Sequence, residues 1–304
     1  MTRSHTPLFT LPMACTMAGL VVGGSVKAQS ADLFDYDKKA AFRITETSAE
    51  RHGTVTVRDV ILSPSAGDRE LKAYIVEPEG KGPFAGVLWV HWLGDPPTTN
   101  RSEFLDEALA LAPQGVVSLL VDAMWSAPEW YRHRVPERDY ENSLRQVISL
   151  RRALDVLATR PSVDPARLGF VGHDYGGMYG MLMAGADLRP RTYVYVAVAA
   201  SLSEWAFFAN QPASKAAYLR QNAALELTDA LRRVTNASTL FQFGAADAYV
   251  SRASTTILFT AAHDPKETKV YEDDHAMRLP AVAQERDAWL VKELGLKQGD
   301  GTSR

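Results

Sequence analysis

Five short, nearly continuous apolar runs punctuate the chain: "FAGVLWVHW", "GVVSLLVDA", "RLGFVGHD", "TYVYVAVAA" and "STLFQFG". A strand without a polar face has to be covered on both sides, so such runs point to parallel strands inside a sheet. Helical patterns separate them. "SLRQVISLRRALDVLATR" places Val147, Leu150, Leu154 and Leu157 on one face and arginines on the other, and "PSVDPAR" stops that helix before the next strand. A last helix around "AVAQERDAWLVKELGL" presents Trp289 and Leu294, and "ETKVYED" is a weaker final strand candidate. Upstream, "TVTVRDVIL" and "ELKAYIVEP" alternate like half-buried strands around the turn "SPSAGDR", and "ADLFDYDKKAAFRITETSAERHG" reads as a polar lead-in. An antiparallel start followed by alternating strand and helix predicts one open, mostly parallel α/β sheet with helices on both faces. In such sheets, sites lie at the carboxyl ends of strands.

The 304 residues are 46% hydrophobic and 23% charged, with a net charge of -3, which supplies no basic field for nucleic acid or an anionic membrane. No phosphate-binding Gly-rich loop or dinucleotide fingerprint is present, and the histidines lack close ligand spacing, so neither cofactor nor metal is expected. The expected partner is a small-molecule substrate, with the oligomeric state open. Residues 1–28 read as an export signal: a positive start at Arg3, the apolar run "LFTLPMACTMAGLVVGGSV", and a small-residue cleavage site at Val26 to Ala28. Pro12 and several glycines in the run favour cleavage over a membrane anchor, leaving no integral span in the mature chain. Cys15, the single cysteine, falls inside this segment, so the exported protein would carry no thiol. The expectation is a periplasmic or secreted protein.

At the end of "RLGFV" stands Gly172-His173-Asp174-Tyr175-Gly176, followed by Gly177. A strand-to-helix elbow needs small residues two before and two after its central residue, because that residue sits on a strained turn where neighbouring side chains would clash. Gly172 and Gly176 meet the requirement. The plain alternative is a Gly-rich turn in which Asp174 only caps the helix.

The elbow and its place in the element order resemble the α/β-hydrolase superfamily over most of the mature chain. "VDPARLGFVGHDYGGMYG" is similar to dienelactone-hydrolase-like members, whereas "GHDYGG" resembles the elbow of epoxide hydrolases and haloalkane dehalogenases, which use Asp. The resemblance implies an α/β-hydrolase fold over residues 29–304, with residues 201–236 as a small cap. It also implies an acid after a later strand and a histidine after the last one, in the order nucleophile, acid, His. "FQFGAADAYV" offers Asp247 and "VYEDDHAMRLP" offers His275, with Asp273 and Asp274 as loop residues and Glu204 as the backup acid. Among the other histidines, His91 resembles a structural family position and His173 flanks the elbow, where packing is expected. The backbone N–H groups of Tyr175 and Trp92 are the implied oxyanion hole, with Trp92 standing where the family usually has glycine.

Where serine attacks acyl carbon, a carboxylate would have to form a mixed anhydride, so an aspartate elbow suits displacement at saturated carbon. The product would be an alkyl ester of Asp174, which His275, oriented by Asp247, would hydrolyse with water. Trp125, Tyr131, Trp205 and Tyr249 are the candidates for lining the pocket or serving a leaving group. Three readings follow from the sequence. The first is an exported hydrolase with an Asp nucleophile acting on an epoxide or, second, a carbon–halogen bond. The next is a dienelactone-hydrolase-like ester hydrolase in which Asp174 is a general base for water. The last is a binding protein on the same scaffold, against which Asp247 and His275 argue.

Overall fold

The computed structural model describes residues 33–40, 43–63, 70–94, 100–208 and 210–297. The expected export segment with Cys15 lies outside the described residues, as do 64–69 of the first turn. Among the described residues nine strands are formed: β1 (Arg43–His52), β2 (Val55–Ser63), β3 (Leu71–Pro78), β4 (Phe84–Val90), β5 (Val116–Val121), β6 (Val163–His173), β7 (Thr192–Val196), β8 (Ser238–Gly244) and β9 (Lys266–Tyr271). They make a single sheet in the order β1-β2-β3-β5-β4-β6-β7-β8-β9. β1, β2, β3 and β5 pair antiparallel, and β5 through β9 pair parallel, so the sheet is mixed at one end as the two patterns imply.

The helices are α1 (Leu105–Leu111), α2 (Trp130–His133), α3 (Asp139–Ala158), α4 (Tyr175–Ala186), α5 (Leu202–Trp205), α6 (Lys215–Gln221), α7 (Leu227–Leu231), α8 (Arg252–Ala261) and α9 (Pro280–Glu293). Alternate residues of the central strands feed two apolar layers. Leu88 and Val90 of β4 join Val147, Leu150, Phe170 and Met178 on one face, whereas Val87 and Trp89 join Phe104, Leu111, Val171 and Leu290 on the other. Each strand therefore loses its apolar surface to water on neither side, which is why its sequence shows no polar alternation. α4 is apolar around its whole circumference and only its last residue is not fully buried, as a helix enclosed by sheet, α3 and α7 must be.

The lead-in departs from its expected irregular form. Arg43 to His52 forms β1, an edge strand exposed along all ten residues. Such a strand buries neither face, so it leaves no hydrophobic period to read, and its backbone ladder to β2 holds it together with exposed pairs such as Glu46–Arg58 and Arg51–Glu79. Thr47 breaks its register, a bulge of the kind that blunts an open edge. Residues 201–236 carry α5, α6 and α7, short helices joined by turns.

The elbow depends on backbone contact that side chains would forbid. A Cβ on Gly172 would come within 2.6 Å of the Gly176 carbonyl carbon, and one on Gly176 would overlap the carbonyl oxygen of Val90. Gly53, by contrast, has open space around it although its φ is +61°. Gly176→Ala is therefore expected to cost about 3 kcal/mol, the upper range for overpacking, against about 1 kcal/mol for Gly53→Ala. Denaturant titration of the two variants checks this, and equal midpoints would count against the close approach.

Candidate active site

Asp174 sits between β6 and α4 with φ 50° and ψ −116°, a conformation L-residues rarely adopt. Holding it there costs about 1–3 kcal/mol. Its N–H bonds the Val196 carbonyl (2.8 Å) and its carbonyl accepts from Met178 N–H (2.9 Å), so β7 and the first turn of α4 fix both sides of the turn. The side chain has no exposed surface. One oxygen, Oδ2, accepts the backbone N–H of Leu93 (3.1 Å). The other, Oδ1, lies 3.8 Å from His275 Nε2, and both atoms are without a hydrogen-bond partner among the described residues.

His275 follows β9 in a loop closed by its own carboxylates. Asp273 accepts from the N–H groups of Asp274 (2.9 Å) and Leu279 (2.8 Å), and Asp274 accepts from Ala276 N–H (2.9 Å). Asp247, in the loop after β8, accepts from His275 Nδ1 at 2.8 Å through Oδ2. Its other oxygen takes the N–H groups of Tyr249 (2.8 Å) and Val250 (2.9 Å), which locks the carboxylate in place. The two loops touch because Gly244 lets them: a Cβ there would stand 2.5 Å from the Asp273 carbonyl oxygen. Asp174, His275 and Asp247 are thus brought together in the order the sequence suggested, whereas Glu204 lies on α5 and, among the described residues, Asp247 is the carboxylate hydrogen-bonded to the imidazole.

Burial by itself would depress the proton affinity of His275. The carboxylates of Asp174 and Asp247 outweigh it and raise the pKa from 6.5 to about 9. For Asp247, burial works to raise the pKa, but the bond from His275 and the two N–H donors prevail and hold it below the usual carboxylate range. At neutral pH the centre is therefore an imidazolium between two carboxylates.

Two sequence-based assignments need correction. The N–H of Trp92 does not face Asp174: it donates to Glu103 Oε2 at 2.8 Å, and the donor turned to Asp174 is the next one along, Leu93. The chain leaves β4 with His91 accepting Ala123 N–H at Nε2 (3.1 Å) and so donating from Nδ1 to the Trp92 carbonyl (2.8 Å), which turns the opposite end of that trans peptide, the Leu93 N–H, toward the elbow. Burial pushes His91 toward its neutral form, in keeping with this structural bonding. Tyr175 heads α4, where its N–H has no carbonyl of the helix to bond. The aromatic candidates divide. Trp125 Nε1 donates to the His91 carbonyl (3.2 Å) and Tyr131 O–H to the Trp205 carbonyl, so neither hydroxyl nor indole is free for a leaving group. Trp205 and Tyr249 instead set their rings 5.6 and 5.1 Å from the His275 ring, with Trp92 at 5.6 Å. Trp205 Nε1 is buried without a partner among the described residues.

Sequence reasoning missed Glu103 altogether. It lies just ahead of α1 in an ordinary polar stretch, and nothing in its neighbours marks it. Its carboxylate receives Trp92 N–H on one oxygen and meets His173 Nδ1 at 2.6 Å on the other. Among the described residues no cluster suits a metal ion, and no helix is long and apolar enough to cross a membrane.

No family model and no curated protein sequence matches this chain. Solved structures do. An acetyl xylan esterase from Paenibacillus sp. R4 aligns with a TM-score of 0.70 over 86% of this chain and 92% of its own, at 18% identity. An acetyl xylan esterase from Thermoanaerobacterium sp. aligns at 0.68 over 83% and 88%, with 14% identity. The esterase domain of a Rhodothermus marinus protein aligns at 0.58 over 79% and 100%, with 19% identity. At such identities the shared property is the fold.

The raised His275 pKa is also a stability statement. Because the folded value lies above the unfolded one, the stabilisation is complete below about pH 6.5 and is lost as pH rises through about 9. It is on the order of 3 kcal/mol. Denaturant titrations of wild type and His275→Gln from pH 6 to 10 should converge as pH rises. A constant difference would contradict the charged pairing.

Proposed function

We propose that this chain, which has the α/β-hydrolase fold, is a hydrolase of carboxylic esters whose working groups are Asp174 and His275. The observation that carries the reading is the facing pair of unpartnered atoms, Asp174 Oδ1 and His275 Nε2, 3.8 Å apart in a site closed to solvent. One is a carboxylate oxygen, the other the N–H of an imidazolium, so a base and an acid lie side by side. The solved neighbours support the ester, since the acetyl xylan esterases and the esterase domain are all named for that bond. They favour it over the epoxide or carbon–halogen displacement that the elbow motif alone suggested.

In this mechanism Asp174 Oδ1 takes a proton from water as the oxygen adds to the acyl carbon. The Tyr175 N–H, unclaimed by the helix, receives the developing oxyanion. His275 gives its Nε2 proton to the departing alkoxide, and Asp247 holds the imidazole in register throughout. Asp174 then ends protonated and His275 neutral, and transfer of that proton across the gap restores the pair. Trp205 and Tyr249 must swing off His275 for a substrate to enter, because Asp174 has no exposed surface.

A second reading has one specific observation in its favour. The Leu93 N–H rests on an oxygen of Asp174 itself, where a charge would develop if water attacked an alkyl ester of Asp174. In that route Asp174 displaces a leaving group at saturated carbon and loses its charge. His275 then has one carboxylate partner fewer, its pKa falls, and it becomes the base for the second step.

Turnover in heavy-oxygen water separates the two. The ester route leaves the Asp174 peptide unlabelled after many turnovers and puts the label in the product acid. The alkyl route places heavy oxygen in the Asp174 carboxylate, and His275→Ala then accumulates an adduct of alkyl mass. A second prediction concerns pH. In the ester route kcat falls as pH rises through about 9, where His275 loses its proton. Asp247→Asn moves that limb to lower pH because one of the two stabilising carboxylates is gone. A limb that stays in place would argue against His275 as the acid.

A further inference from the structure

His173 was expected only to pack, yet it bonds at both ring nitrogens while it is almost wholly buried. Its Nε2 lies 2.9 Å from the carbonyl oxygen of His275. A carbonyl can only accept, so Nε2 carries the proton. Its Nδ1 lies 2.6 Å from Glu103 Oε1, a contact that needs one further proton between the two atoms. The other oxygen, Glu103 Oε2, accepts Trp92 N–H at 2.8 Å. The Trp92 ring lies parallel to the His173 ring, 9° apart in plane with centroids separated by 5.1 Å.

These contacts join two loops that no strand pairing joins. The loop after β4 supplies Leu93 N–H to Asp174, and it is fixed at its preceding residue by Glu103. The loop after β9 supplies His275, and it is fixed at its backbone by His173. Asp174 itself is the residue after His173, held by the elbow. The distance from Oδ1 to Nε2 and the Leu93 contact thus share one brace.

We propose that Glu103 and His173 are positioning residues, a buried two-residue brace that sets the Asp174–His275 gap and the aim of the Leu93 N–H by geometric reach. This goes beyond the ester reading and holds for either chemistry, but it rests on Asp174 and His275 being the working pair. The brace acts through contact and not through charge. Glutamine at 103 could accept Trp92 N–H with its carbonyl and donate its amide N–H to a neutral His173, whose Nε2–H would still reach the His275 carbonyl. Aspartate at 103 keeps the charge and is one methylene short.

The test is an NMR titration of the His275 imidazole in the intact protein, which requires no substrate. The titratable groups facing that imidazole are Asp174, Asp247, His173 and Tyr249. Glu103→Gln should leave the midpoint as in wild type. Glu103→Asp should lower it by about one unit as the gap widens and the ion pair weakens. With a turned-over ester, kcat of Glu103→Asp should fall by about tenfold or more while KM holds. An unchanged midpoint in Glu103→Asp, or a larger loss in Glu103→Gln, overturns the proposal. If Glu103→Asp does not fold, His173→Phe keeps the stack on Trp92, loses both hydrogen bonds and carries the same expectation. Asp174→Asn serves as the reference. If its midpoint equals wild type, the Asp174–His275 pairing has failed, and the brace is overturned with it. If Asp174→Asn shifts and Glu103→Asp does not, the brace alone has failed.

Discussion

An ionised carboxylate with no exposed surface costs several kcal/mol unless positive charge and hydrogen-bond donors replace the lost water. Asp174 is buried to that degree, and its replacements are the His275 imidazolium on one oxygen and the Leu93 N–H on the other. Much of the local structure follows from supplying them. The glycines of the elbow let β6, α4 and β4 close to backbone contact, which puts Asp174 beneath the loops after β4 and β9. Asp247 holds the imidazole from behind with a carboxylate that is itself pinned by two N–H groups. Removing any one of these leaves a buried charge short of a partner, so the site behaves as a unit.

The same burial bears on function. An elbow of this shape usually presents a serine, whose attack needs a neutral imidazole as base. An aspartate there does the opposite, since its charge keeps His275 protonated. On the proposed ester route the imidazole begins as an acid, and the carboxylate is the base. That inversion permits ester hydrolysis by direct attack of water, and it equally permits displacement followed by release, in which His275 becomes a base only after Asp174 has been neutralised. The rings of Trp92, Trp205 and Tyr249 wall His275 and lower the local dielectric around its ion pair with Asp174.

The sheet was legible because burial leaves a mark in sequence. β4 to β8 are covered on both faces and so read as unbroken apolar runs, and the sites at their ends could be found by position. β1 was not legible, because a strand exposed on both faces carries no hydrophobic period. At the site, Asp174, Asp247 and His275 could be proposed because each ends a recognisable strand. The Trp92 N–H was expected to face the elbow, but the next one along, Leu93, does so, since peptide orientation in a loop is set by contacts such as His91 to the Trp92 carbonyl. Glu103 left no signal at all. Its importance comes from partners that lie far away in sequence, and only the folded chain brings Trp92, His173 and Glu103 together.

The central claim is that Asp174 meets the substrate, and replacing its charge while keeping its shape tests it most directly. Asp174→Asn should remain folded by circular dichroism and lose about 10²–10⁴-fold in kcat on a panel of aryl and acetyl esters. Retention of wild-type turnover by Asp174→Asn on the same esters would contradict the account, whichever reaction route is at work.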